Sequence, residues 1–370
     1  MARRILQFGT SRFLQAHVDL FVHEARAGGQ DIGPITVVKT TADAGREGRL
    51  AALARPEGFP VVIRGHAQGR KVDETIQVTS VERALSAGRD WETVADIFAT
   101  EAAIVVSNTG DEGYALDDQD RQATAAGTVP ASFPGKLLAL LRHRHEVGGR
   151  PLLVLPCELV SNNGRVLRAL LLDLAANWDL PADFRQWLEH EVLFCDTLVD
   201  RIVSAALEPA GAITEPYALW AIQRAPGLLG PLTHPAVVVT DDLEPYARLK
   251  LHILNLGHTI LADIWLRDRR PAEETVGMIL ADAPVRAQLM RIYEAEVIPG
   301  FAARDMHEAA STYVSGTMER FENPFLQHPI RDIAQNHRIK IERRIRAFID
   351  WVHEREPGLA LPRLTALAGT

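Results

Sequence analysis

The sequence predicts an α/β fold, with a doubly wound, Rossmann-type N-terminal domain over residues 1–241 and an all-helical C-terminal domain over residues 242–370. Three observations carry this expectation. The chain opens as strand, tight turn, helix and strand within about forty residues, the start of a dinucleotide-binding sheet. Apolar strands then alternate with amphipathic helices as far as Thr240, the pattern of a parallel sheet covered by helices. From Glu244 onward the apolar residues recur only at helical spacing.

The elements follow in order. Arg4 to Phe8 reads as a buried strand, Gly9-Thr10-Ser11-Arg12 as the turn, and Phe13 to Arg26 as a helix stopped by Gly28-Gly29. Ile35 to Lys39 is the second strand. Thr10 and Ser11 can cap the helix whose first amides would face a pyrophosphate, and Arg12 can reach phosphates. The turn has Gly9 but no second glycine, and lone-glycine turns occur in α/β proteins of every function. Pro60 to Gly65 and Val72 to Val81 read as strands, a hairpin apart from the main sheet. Ala102 to Val106 is a strand ending in Ser107-Asn108-Thr109-Gly110. Ligands of doubly wound sheets bind at such carboxyl ends, which makes Asn108 a candidate for the nicotinamide-ribose side of a cofactor; ordinary turn chemistry explains the same residues. Pro151 to Pro156 is a further strand, and Ala182 to Phe194 reads as a helix. Tyr217 to Gln223 and Val237 to Thr240 read as strands around the Pro/Gly-rich segment 225–235. The C-terminal helices fall near 244–267, 272–281, 284–298, 305–321, 329–336 and 338–354.

Composition narrows the function classes. With 370 residues, 47% hydrophobic, the chain can bury two cores. A net charge of −8 and no basic run exclude a nucleic-acid partner from the expectation. No apolar stretch approaches a membrane span, and the run after Met1-Ala2-Arg3-Arg4 is too short for a signal peptide. Cys157 and Cys195 are the only cysteines and form no CxxC pair, which fits the cytoplasm and argues against a structural zinc site. A monomer or homodimer acting on a small molecule is expected.

The helix from Glu244-Pro245 carries the chemistry. Leu249, Ile253, Leu256 and Ile260 mark its apolar face, while Lys250, Asn255 and His258 interrupt it with an ammonium, a carboxamide and an imidazole. At ~100° per residue, Lys250, His258 and Asn255 fall near 0°, 80° and 140°, with Lys250 and Asn255 ~7.5 Å apart along the axis. A lysine among apolar neighbours, with Arg248 nearby, is pushed toward its neutral form, because burial and like charge both oppose the cation. Such a group suits general acid–base work. The helix begins at the predicted domain boundary, so its polar face is expected in an interdomain cleft. The plain structural account is a lysine snorkelling beside a satisfied core histidine.

Taken together, these segments resemble the mannitol dehydrogenase family of polyol-specific long-chain dehydrogenases and reductases. The resemblance runs through Ile5-Leu6-Gln7-Phe8-Gly9, Ser107-Asn108-Thr109, Pro156-Cys157-Glu158-Leu159, Asn163-Gly164, Phe194 to Val203, the Lys250/Asn255/His258 helix and Arg320-Phe321-Glu322-Asn323-Pro324. It implies metal-free, nicotinamide-dependent hydride transfer between a sugar-derived alcohol and its ketone. By position it implies Lys250 as acid–base group, Asn255 as oxyanion contact and His258 as substrate contact. Phe8, Gly9, Thr10, Ser11, Arg12, Lys39, Asn108 and Thr109 are the expected cofactor-binding residues. Many family members carry asparagine where this chain has Leu159, and leucine there favours the sugar-acid branch; Asn163 is a candidate to compensate. The second strand ends without an acidic residue for ribose hydroxyls, and Lys39 could favour a 2′-phosphate, so NAD is expected with NADP not excluded.

A sugar acid carries a carboxylate, which calls for a cation. Arg320, Lys340 and Arg344 are candidates, with Asn323 and His328 for hydroxyls and Asp200 as a buried acid near Lys250; a solvated helix face accounts for the last-helix cations equally well. The expected reaction is of the tagaturonate-to-altronate type. The alternatives are a fructuronate (mannonate), hexitol or hexitol-phosphate dehydrogenase, and a dinucleotide or sugar-acid sensor without turnover.

Overall fold

In a computed structural model, residues 3–41, 47–110, 113–122, 128–228 and 230–369 are described. The strands are β1 (Arg3–Phe8), β2 (Ile32–Lys39), β3 (Phe59–Ala67), β4 (Arg70–Val78), β5 (Val81–Ser86), β6 (Ala102–Ser107), β7 (Leu152–Pro156), β8 (Val192–Phe194), β9 (Thr197–Asp200), β10 (Val203–Ala206), β11 (Ala212–Thr214), β12 (Leu219–Gln223) and β13 (Val237–Thr240). The chain divides into two compact units. The first comprises 1–62, 75–214 and 218–243; the second comprises 63–74, 215–217 and 244–370.

The first unit is built on a six-stranded sheet in the order β5-β2-β1-β6-β7-β8, every pair parallel. Parallel strands covered by helices on both faces read as continuous apolar runs, and β1, β2 and β6 are buried along nearly their whole length. The order reverses between β1 and β6, so a crevice opens beyond Phe8 and Ser107, where such sheets bind ligands. Two smaller sheets, β10-β11-β3-β4 and β13-β12-β9, complete the strand pairing.

Several expectations are corrected. The helix expected from Phe13 to Arg26 is broken: Arg12–Gln15 forms one turn, and a second helix runs from Val18 to Ala27. His17 sits at the break with its Nε2 donating to Leu219 O at 3.0 Å, its ring stacked on Phe13 and packed at a tilt against Phe21. The helix expected to reach Phe194 ends at His190, and Val192–Phe194 pairs with β7 as the last strand. A three-residue apolar run fits either period, so the sheet edge decides. The strand expected over 72–81 ends at Val78, and β5 then joins the main sheet as its edge. The charges at Glu82 and Arg83, paired with Arg4 and Glu101, hid this strand from an apolar pattern and suit an edge exposed to water.

The second unit is helical from Glu244 onward around one apolar core that includes Ile253, Ile260, Leu289, Phe301, Val314, Ile345 and Phe348. It also takes in the tip of the β3–β4 hairpin. Glu296, fully buried, accepts from the backbone N–H groups of Arg363 and Leu364 and so caps the helix Pro362–Ala368. Among the described residues no helix is long and apolar enough to cross a membrane.

One buried acid of the first unit has a pH signature. Asp19, 0% exposed, titrates near 8 instead of 3.8 because burial penalises its charge, opposed by the Gln7 side chain. Between these values the folded protein holds a proton that the unfolded chain has released, so stability falls as pH rises from about 4 to about 8. Asp19→Asn removes that dependence. Melting curves at pH 5 and pH 8.5 are expected to show the variant gaining on the wild type at the higher pH, and a pH-independent difference would refute the assignment.

Candidate active site

In the first unit, the β1 turn is shaped by Gly9. Its φ is +111°, and a Cβ there would overlap the Asn108 carbonyl oxygen. Gly9 N donates to Val38 O and Asn108 N to Phe8 O, both at 3.0 Å, which draws the ends of β1, β2 and β6 together. Ser11 caps the short helix by accepting from Leu14 N at 3.2 Å. Thr10 is half-buried and Arg12 exposed beside this turn, while Lys39 is buried at the end of β2. A glycine cradle at the strand reversal fits the close approach of a dinucleotide backbone.

Asn108 and Thr109 serve the framework at this crevice. Asn108 Nδ2 donates to Cys157 O at 2.8 Å. Glu158, buried beyond β7, accepts from Thr109 N, Thr109 Oγ1 and Ser107 Oγ at 2.9 to 3.0 Å. Burial raises the Glu158 pKa, and these donors oppose that rise. Glu158 belongs to the Cys157-Glu158-Leu159 segment, yet nothing in its spacing announced that it would brace the β6 loop. Asn163 does not compensate for Leu159. Its Nδ2 donates to Pro156 O, Glu158 O and Thr197 O, and its Oδ1 accepts from Gly164 N and Thr197 N. Leu159 itself is 74% exposed. Asp200 is buried at the end of β9, opposite Leu219.

In the second unit, the helix expected over 244–267 is not uniformly α-helical. Glu244–Leu249 and Leu256–Arg267 are α-helices, and Lys250–Asn255 between them is a π-helix. The projection at 100° per residue therefore fails across this segment. Leu256 N–H bonds back to Leu251 O, five residues earlier. A π-helix rotates the chain less per residue than an α-helix, so Asn255 falls closer to the side of Lys250 than the ~140° that a uniform α-helix would give. His258, three residues further along an α-helix, stays on that side. Lys250 and Asn255 are half-buried and His258 is buried. Arg248 turns toward Glu244, His252 and the Trp351 ring.

His258 is the centre of a cationic cluster. Its ring lies 4.5 Å from Phe321 and 5.2 Å from His328 between centroids. Its Nε2 is buried without a protein partner among the described residues. Burial holds its pKa well below 6.5, and the charges of His328, Arg320, Arg344 and Lys340 push the same way, so His258 is a neutral imidazole. Burial also lowers His328 and Lys340, and brings Arg344 down to about 10.

The cations of this cluster fall into two kinds. Arg320 is committed: it donates through Nε and Nη2 to the Glu215 carboxylate at 2.9 and 2.8 Å, both groups buried, under the Tyr217 ring. Lys340 and Arg344 have no carboxylate within ion-pair reach among the described residues. Lys340 Nζ donates to Ile333 O at 2.6 Å, and Arg344 Nη1 to Asn255 O and Thr259 Oγ1, each at 3.1 Å. Asn323 is also committed, donating to Arg64 O at 3.0 Å and accepting from Phe325 N at 3.0 Å. The structure thus brings His258, His328, Lys340 and Arg344 together, and uses Arg320 and Asn323 to fasten neighbouring segments.

Comparison with known proteins follows the same division. A family model for the mannitol dehydrogenase Rossmann domain matches residues 3–230, and one for the mannitol dehydrogenase C-terminal domain matches residues 242–369. The altronate oxidoreductase of Halalkalibacterium halodurans is 31% identical, over 91% of this chain and 68% of its own length. That of Klebsiella pneumoniae strain 342 is 32% identical, over 98% of this chain and 77% of its own length. Among solved structures, D-sorbitol dehydrogenase in substrate-free form superposes with a TM-score of 0.77 at 18% identity, covering 96% of this chain and 76% of that one. The Pseudomonas fluorescens mannitol 2-dehydrogenase ternary complex with NAD and D-mannitol gives 0.73 at 19% identity, covering 100% and 84%. On these matches the chain belongs to the mannitol dehydrogenase family of oxidoreductases.

Proposed function

We propose that this chain is an NAD(H)-dependent oxidoreductase that interconverts a keto sugar acid and its hydroxy acid, of the tagaturonate/altronate kind, with Lys250 as general acid–base. The observation that carries the substrate class is the set of side chains around His258. A neutral imidazole with an orphan nitrogen suits a hydroxyl, and two cations without carboxylate partners among the described residues suit an anion. A neutral polyol would leave Lys340 and Arg344 with nothing to balance. The altronate oxidoreductases among its relatives support the same class.

The residues of the Gly9 turn, with Lys39, Asn108 and Thr109, are the ones that would hold the dinucleotide, whose nicotinamide supplies or accepts the hydride when bound. NAD is the dinucleotide of the mannitol 2-dehydrogenase ternary complex. For ketone reduction, the Lys250 ammonium donates a proton to the carbonyl oxygen as that oxygen gains negative charge. The Asn255 carboxamide donates to the same oxygen and stabilises its charge, from the side of the helix that the π-turn gives it. His258 exchanges a hydrogen bond with a neighbouring hydroxyl without changing charge, because its surroundings keep it neutral. Lys340 and Arg344 grip the carboxylate and set which carbon lies beside Lys250. Oxidation runs the same steps in reverse, with neutral Lys250 taking the alcohol proton.

Two outcomes test this. Lys250→Ala is expected to lower kcat by roughly two to four orders of magnitude while NADH binding, followed by fluorescence, stays within about twofold. A wild-type rate would sink the acid–base assignment. Lys340→Met is expected to raise KM for keto sugar acids about 10- to 100-fold, the weight of a charge-assisted hydrogen bond, and to leave KM for neutral ketoses unchanged. Equal effects on acids and neutral ketoses would remove the carboxylate role.

A further inference from the structure

The π-turn at Lys250–Asn255 sets the side of the helix on which Asn255 appears, so whatever holds the turn acts on the chemistry. Three π-helical segments occur among the described residues of the second unit, at Lys250–Asn255, Tyr293–Val297 and Glu342–Arg346. Side chains of the second and third segments bond to the backbone of the first. Tyr293 OH donates to Ile253 O at 2.9 Å. Arg344 Nη1 donates to Asn255 O, which also accepts from Thr259 Oγ1 at 2.9 Å. In return His252 Nδ1 donates to Arg344 O at 3.0 Å. A carbonyl only accepts, so this bond fixes the His252 tautomer, and burial, with Arg248 nearby, keeps that ring neutral down to about 4.

Gly257 completes the arrangement. A Cβ at this position would overlap the Tyr293 hydroxyl oxygen and press on the Phe321 ring. Glycine inside a helix is destabilising relative to alanine, and here it makes room for the Tyr293 phenol. Tyr293 is fully buried, and burial raises its pKa, so its hydroxyl remains a donor at every working pH.

We propose that Tyr293, admitted by Gly257, is a positioning residue that holds Lys250–Asn255 in its π-turn and thereby keeps Lys250 and Asn255 on one side of the helix. Neither residue touches substrate; they act through the register of the helix that does. The inference rests on Lys250 as acid–base group.

The test compares Tyr293→Phe, Gly257→Ala and Lys250→Ala, each as the full-length chain. Tyr293→Phe keeps the ring and loses only the donor. Misplacing a reacting group by about 1 Å costs up to about 100-fold, so kcat for keto acid reduction at 25 °C is expected to fall about 10- to 100-fold. KM and NADH binding stay within about twofold, and amides 254–259 exchange hydrogen faster than in the wild type. Gly257→Ala, which displaces the phenol, gives the same split between kcat and KM. A purely structural role would lower the melting temperature and leave kcat of the folded enzyme unchanged. Wild-type kcat in Tyr293→Phe, with Lys250→Ala inactive, overturns the positioning role alone, whereas an active Lys250→Ala overturns the acid–base reading beneath it. If one of the two positioning variants does not fold, the other decides.

Discussion

The hydrogen bond from Tyr293 OH to Ile253 O is small on the scale of the fold, yet the geometry of the candidate active site depends on it. Buried backbone groups must find partners, and a change of helical register redistributes which of them are served inside the helix. Along the Lys250 segment that demand is met by a phenol and a guanidinium from neighbouring helices and by a threonine hydroxyl one turn further along the same helix. Each is fixed by its own packing: Tyr293 by the space at Gly257, Arg344 by His252 on its carbonyl, Thr259 by its position four residues after Asn255. The π-turn is therefore a property of three helices, which explains why a single helix read by itself could not reveal it.

That limit sets how much of the molecule was legible in the sequence. The sheet of the first unit was readable because parallel strands are apolar along their length and glycine marks the β1 turn. The run Lys250, Asn255, His258 was readable because polar residues break an apolar stripe. Their relative directions were not, since a projection at a fixed angle assumes one helical period. Gly257 was a signal that could have been used, being a glycine within a helical stripe of leucines and isoleucines. The short strand Val192–Phe194 was read as helix because three residues carry no period, and the charged edge strand β5 was missed because charge masks an edge.

The cations show a different limit. Arg320, Lys340 and Arg344 are indistinguishable as candidates in the sequence, and only Arg320 has an acid built for it among the described residues. Its partner Glu215 lies 105 positions earlier, so no local spacing announces the pair. A buried ion pair with both groups satisfied is a fastening device whose disruption leaves an uncompensated charge. Among the described residues, Lys340 and Arg344 have only carbonyl and hydroxyl partners, which leave their charges unbalanced in a half-buried setting that lowers the pKa of each. Burial here works against the charged form of both groups, and under the proposed function the substrate carboxylate restores the balance.

Lysine is scarce in this chain and is placed selectively. Only five of the forty basic residues are lysine, at 39, 71, 136, 250 and 340. Lys39 and Lys136 are buried, Lys250 and Lys340 half-buried, and only Lys71 is exposed. Four of the five lysines thus sit near apolar groups, although arginine also takes such positions, as at Arg144, which is buried among backbone carbonyls. Rarity alone therefore does not mark a catalytic group: Lys136 spends its ammonium on the Ala131 carbonyl just ahead of its own helix, and burial lowers its pKa as it does for Lys340. What separates Lys250 from the other four is its company. Its helix also carries the Asn255 carboxamide and an imidazole held neutral, and a proton donor is useful only where hydrogen-bonding neighbours can hold the oxygen that takes up its proton.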